Sequence, residues 1–159
     1  VLATLITLPA GAIRPLAADA EEVQFYVGAS IGAEDAMYIR EGIRLGQDYV
    51  RERLGAELGE LTIVNGVPAA PRGDSHAVGI STSHAVVVYT GSAGWRQSAP
   101  FDRVHVVVHE YMHVVQEDLA QDRGNSTPLW VDEGIADYVG YQAVIEAGLV
   151  SAADVAAAA

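Results

Sequence analysis

The stretch from Pro100 to Ala120 limits what this chain can become more than any other part of it. On a helical wheel Val104, Val107, Val108, Tyr111, Val114 and Val115 cover one broad face, and Val106 lies beside the His109 and His113 side. A helix that is apolar almost all the way round belongs in a core. This one nevertheless carries the run His109-Glu110-Tyr111-Met112-His113. Two imidazoles and a carboxylate in such surroundings are costly unless they are paired or hold a metal. Residues four apart stand one turn above each other, so His109 and His113 can aim at one ion, while Glu110 is turned roughly 100° away from His109 and flanks it. H-E-x-x-H on a helix is the pattern of two zinc ligands beside a general base. His105 stands four before His109 but cannot share that ion with His113: two turns are about 12 Å of rise, and zinc–nitrogen bonds are about 2.1 Å.

A catalytic zinc site takes three protein ligands and keeps a fourth position open. Acids for the third ligand follow in Trp130-Val131-Asp132-Glu133-Gly134-Ile135-Ala136-Asp137-Tyr138. H-E-x-x-H, a spacer and then W-x-x-E-G-x-A-D resembles the gluzincins, the thermolysin-like zinc peptidases, and in particular their compact bacterial peptidase MA-like domains. The resemblance is carried by residues 101–142, and upstream of them only by the order of elements. It implies His109, His113 and Glu133 as the ligands of one zinc ion per chain and Glu110 as general base. It also implies Asp137 as the acid that orients a ligand histidine. Stereochemistry agrees, because Glu133 and Asp137 are four apart on one face, whereas the corresponding partner of Asp132 is Ala136.

The activity implied is hydrolysis of peptide bonds by metal-activated water, with a peptide or protein as substrate. Two rivals stand beside it. One is a zinc-stabilised domain without catalysis that binds peptides or proteins; the other is a globular protein in which the motif is accidental.

The rest of the chain reads as α+β. A short strand at 23–27 is ended by Gly28, and an amphipathic helix follows over 33–54, opened by Glu34 and Asp35, which suit its N-terminal dipole, and ended by Gly55. A second strand at 61–64 is expected to break at Asn65-Gly66-Val67-Pro68, with an exposed loop over 68–74. Strands at 76–81 and 85–90 make a hairpin about Thr82-Ser83-His84, and a loop over 91–99 holds Trp95. Residues 118–126 form a polar connection, Thr127 caps a second helix with Pro128 behind it, Gly148 stops that helix near Ala147, and Ser151 opens another. The fold class expected is zincin-like α+β: a twisted mixed sheet of about four strands, an N-terminal packing helix, an active-site helix and a glutamate-bearing helix.

Other residues draw weaker readings. The resemblance makes Val78-Gly79-Ile80-Ser81 the edge strand that lies over the metal and pairs with extended substrate, and glycine at 79 would let a peptide come close. Tyr141, eight after Glu133, is a candidate donor to the transition-state oxyanion, with core packing as its alternative. His76 and His84 read as surface histidines, and Trp130 as a core aromatic bracing the second helix.

At 159 residues with formal charge −12, the chain is large enough for a core of its own and unsuited to nucleic acid or anionic membranes, which require basic patches. It has no cysteine, hence neither a disulfide frame nor a thiolate site, and all nine basic residues are arginine. No segment is apolar for the eighteen or so residues of a membrane span. The apolar opening, followed by Arg14-Pro15 and Ala18-Asp19-Ala20, makes residues 1–20 either a secretory signal remnant or a leading strand, with the peptidase domain over 21–159. The location expected is secreted or cell-envelope, with the cytoplasm as alternative, and the state favoured is a monomer.

Overall fold

The computed structural model describes residues 24–27, 31–55, 61, 63–68, 78–82, 84–120 and 127–158. The leading segment 1–20, the strand end at Gly28, most of the loop over 68–74, residues 76–77 and 83 of the hairpin and residues 121–126 of the helix connection lie outside the described residues. The architecture is α+β. Strand β1 (Gln24–Val27) is followed by helix α1 (Ala33–Tyr49), which continues into a π-helical turn at Val50–Leu54 closed by Gly55 at φ 67°. Next come β2 (Ile63–Val67), β3 (Gly79–Thr82), β4 (Ala85–Tyr89) and a short helix α2 (Ala93–Gln97). Helices α3 (Pro100–Leu119), α4 (Leu129–Glu146) and α5 (Ala152–Ala158) complete the order.

The four strands form one mixed sheet in the order β1-β2-β4-β3. β1, β2 and β4 run parallel, β1 and β2 being joined through α1, and the hairpin turns β3 antiparallel onto β4 with Gly79 opposite Val88 and Ser81 opposite Val86. β3 is thus the terminal strand of the sheet. His84 occupies the hairpin turn at φ 63°.

Val64, Val86 and Val88 of the sheet meet Ile39 and Ile43 of α1 and Val107 and Val108 of α3 in one core, with all seven side chains essentially inaccessible. α1 approaches α3 at two glycines a turn apart: a Cβ on Gly46 would stand 2.6 Å from Tyr111 Cδ1, and one on Gly42 would collide with Val107. Burial of the α3 valines is the setting the wheel calls for, and it fixes which side of α3 its histidines face.

Several local expectations are corrected. β2 does not break at Asn65: Asn65, Gly66 and Val67 continue the ladder opposite Val87, Val88 and Tyr89, because Gly66 lies against Ile31 and Ile39, where a side chain has no room. The break comes at Pro68, which has no N–H for a ladder. Residues 93–97 are a helical turn and not loop, with the Ser92 hydroxyl accepting from Trp95 N at 3.1 Å. Trp95 is buried, donates from Nε1 to Asp35 Oδ1 at 2.8 Å, and so ties α2 to the start of α1. Thr127 does not cap α4. The cap position is Pro128, whose carbonyl receives Val131 N at 2.8 Å.

Trp130 is not a core residue; 77 % of its surface is exposed. The buried residues of α4 are Ala136, Val139, Gly140, Ala143 and Val144, with Gly140 directly against His105 of α3, and Trp130 falls outside this face. Gly148 stops the helix at φ 71°, as expected, and Ser151 caps α5 by accepting from Asp154 N at 3.1 Å.

Candidate metal centre

α3 and α4 pack antiparallel, so positions four apart on one helix meet positions four apart on the other. His105 faces Tyr141, His109 faces Asp137, and His113 faces Glu133.

The Nε2 atoms of His109 and His113 are 3.0 Å apart. Glu133 Oε2 is 3.3 Å from the first, and Oε1 is 3.6 Å from the second. Ligands at 2.0–2.2 Å on the corners of a tetrahedron are about 3.3–3.6 Å apart, and these residues offer ligand atoms within 4.8 Å of one another, so one Glu133 oxygen turned toward both rings would complete three corners of a metal shell. The three ligand atoms are close enough together to hold one metal ion.

The other ring nitrogens decide what the centre wants. His113 Nδ1 is 2.7 Å from Gln116 Oε1, and Gln116 Nε2 donates to the carbonyl of Asp132 at 2.8 Å. A carbonyl only accepts, so the amide nitrogen of Gln116 must face it, its oxygen must face His113, and His113 Nδ1 must be the donor. His109 Nδ1 likewise donates to Asp137 Oδ1 at 2.9 Å. In the neutral rings both Nε2 atoms then turn lone pairs toward each other and toward a carboxylate. Three acceptors converge with no donor among them, which is the chemistry of a cation site.

Glu110 is buried, on the β3 side of the pair. Ser81 donates to its carboxylate, and a Cβ on Gly79 would stand 2.6 Å from Glu110 Cγ and 2.7 Å from Oε1. Burial raises its pKa above the ordinary carboxylate value, outweighing the opposing pull of His109, His113 and the Ser81 hydroxyl. Gly79 and Ser81 face inward on β3 while Ile80 and Thr82 are exposed, and the Val78 carbonyl accepts from Tyr89 N at 2.9 Å. Glu133 and Asp137, with about half of each side chain exposed, lie at the open side of the centre, and the histidines are recessed beneath them.

The structure brings together His109, His113, Glu133 and Asp137 and sets Glu110 against Gly79 and Ser81. It does not bring Tyr141 to them: that ring is stacked on His105 with centroids 3.8 Å apart, two turns of α4 from Glu133. His84 sits in the hairpin turn, and His76 lies outside the described residues. Sequence reasoning missed Gln116 and the closeness of His105 to Asp137. Gln116 orients His113 from one turn beyond it, a position readable as i+3 on the same helix face. His105 shares no ion with His113, as its spacing dictates, yet its Nε2 lies 3.7 Å from Asp137 Oδ1. Burial holds its pKa down at about 4, so the ring is neutral near pH 7.

Comparison with protein-family models, curated proteins and solved structures returns no match. Among the described residues, no helix is long and apolar enough to cross a membrane.

Proposed function

We propose that this chain is a zinc-dependent peptidase of the gluzincin type, with His109, His113 and Glu133 as metal ligands and Glu110 as general base. The observation that carries the reading is the convergence of a ring nitrogen from each of His109 and His113 with a Glu133 carboxylate oxygen, all within 4.8 Å of one another. A zincin-like arrangement accounts for the rest, with a mixed sheet ending in β3, α3 beside it and α4 supplying the acid.

Bound zinc would lower the pKa of coordinated water to about 7 and polarise a carbonyl. The remaining work falls to the chain. Glu110 takes a proton from the attacking water and returns it to the leaving nitrogen, a role that its raised pKa suits. Ser81 holds the Glu110 carboxylate in place. Asp137 and Gln116 fix the two imidazole tautomers. The outer edge of β3 offers its backbone to an extended peptide, whose affinity then comes from ladder hydrogen bonds. Trp130 shares the α4 row of Glu133 and Asp137, at spacings of three and four, and offers a substrate side chain an exposed aromatic surface.

Metal analysis of the wild type and two variants tests the reading. Wild-type protein should carry one zinc per chain and cleave a quenched peptide library. Glu110→Gln should keep the zinc and lose cleavage, and His113→Ala should lose both. Zinc without cleavage in the wild type would favour a binding module, and full activity in Glu110→Gln would contradict the mechanism.

A further inference from the structure

Among the described residues, His105 Nε2 is the one buried side-chain nitrogen or oxygen without a hydrogen-bond partner. A ring nitrogen buried in that condition wants a partner: the ring already bonds the Asp137 backbone, and the nearest anion to Nε2 is Asp137 Oδ1 at 3.7 Å, the same oxygen that receives His109 Nδ1 at 2.9 Å. We propose that His105 is a positioning residue whose Nε2–H steadies Asp137, so that a chain His105–Asp137–His109 fixes the ring of a metal ligand. The inference rests on the peptidase reading only for the identity of the metal.

The placement of His105 is determined on every side. Its ring is stacked on Tyr141 at an interplanar angle of 23°. Gly140 presses on its other atoms: a Cβ there would stand 2.7 Å from His105 Cδ2, 3.0 Å from Nε2 and 3.2 Å from the His105 carbonyl oxygen. Asp137, by contrast, is 55 % exposed in its side chain and bonded to His109 Nδ1 at 2.9 Å, which leaves its carboxyl room to turn. A buried imidazole behind this half-exposed carboxylate supplies a second hold. Closing 3.7 Å to a hydrogen bond of about 2.9 Å needs only a small turn of the Asp137 carboxyl toward α3. A chain of this kind limits the directions in which His109 Nε2 can point, which is how groups behind a ligand govern metal affinity.

Two measurements decide the matter, and the first uses no metal. Long-range proton–nitrogen NMR of the metal-free protein should show His105 as the Nε2–H tautomer and His109 as a single Nδ1–H tautomer. A His105 ring protonated on Nδ1 alone would overturn the proposal without any variant. In His105→Phe, which keeps the stacked ring and removes the donor, His109 should become a tautomer mixture. Zinc affinity, read by competition with a fluorescent chelator, should fall about tenfold, the low end for groups behind a ligand. His105→Gln, which restores an N–H at the same distance along the side chain, should recover most of that loss. In an Asp137→Ala background, His105→Phe should have no further effect. Wild-type tautomers and affinity in His105→Phe, or a full additional loss in the Asp137→Ala background, would overturn the chain. Should the wild type bind no zinc, the peptidase reading fails, and the tautomers still decide this one.

Discussion

Gly79 and Glu110 touch so closely that the glycine leaves no space for even a methyl group, since a Cβ there would lie 2.6 Å from Glu110 Cγ. The obstructing atoms belong to a side chain and not to backbone, so the fold can absorb a substitution while Glu110 cannot stay where it is. Gly79→Ala should therefore cost stability only about 1–3 kcal/mol, an overpacking penalty. Peptide cleavage should fall at least about tenfold, as expected when a general base is displaced. Zinc affinity should stay near that of the wild type. Denaturant melts, a peptide assay and a zinc titration on one preparation check this, and undiminished cleavage would remove Glu110 from its proposed role.

Gln116 is the counterpart of Asp137 for the second histidine. Gln116→Leu removes the acceptor of His113 Nδ1–H and the link to the Asp132 carbonyl, and should weaken zinc binding about 10–100-fold. Its effect should add to that of Asp137→Ala, because the two hold different rings. A chelator competition on the single and double variants measures both statements.

The titration of His105 has a definite sign. Its pKa falls from 6.5 to about 4 on folding, so the native state resists protonation that the unfolded chain accepts. The neutral ring leaves stability whole above pH 6.5, and the loss accumulates as pH falls from 6.5 toward 4. By pH 4.5 it should reach about 2.5 kcal/mol. Urea melts of metal-free protein at pH 7 and pH 4.5 should show that drop, and His105→Phe should be flatter by the same amount. Parallel curves for the two proteins would contradict the burial of a neutral imidazole.

Trp130 separates stability from binding. With 77 % of its surface exposed, its replacement by alanine should change stability by no more than about 0.5 kcal/mol. On the peptidase reading it should raise KM for peptides with large apolar side chains and leave kcat nearly alone. A KM unchanged across a peptide panel would dismiss Trp130 as a substrate surface.

What could be read from sequence depended on whether one helix or several elements held the information. The apolar wheel of α3 and the four-residue spacings of His109 with His113 and of Glu133 with Asp137 are local, and they place those side chains on facing rows. The α+β class and a mixed sheet of four strands were legible from runs of valine and isoleucine between helical stretches. Asn65-Gly66 misled, because a glycine that reads as a turn is needed inside β2 for want of space beside Ile31. Trp130 misled because composition makes tryptophan a core residue, while the buried face of α4 is Ala136, Val139, Gly140, Ala143 and Val144. The bonds of Gln116 to Asp132 and of Trp95 to Asp35 span separate elements, and no periodicity announces them.

The account stands on one cation shared by His109, His113 and Glu133. X-ray absorption at the zinc edge, on protein loaded with one equivalent, measures this directly. The prediction is two imidazole nitrogens and one carboxylate oxygen at about 2.0–2.2 Å, plus one lighter oxygen neighbour. His113→Ala should no longer retain the ion in this shell, and the carboxylate contribution should vanish in Glu133→Ala. A zinc shell with no imidazole, or one unaltered by either substitution, would contradict it.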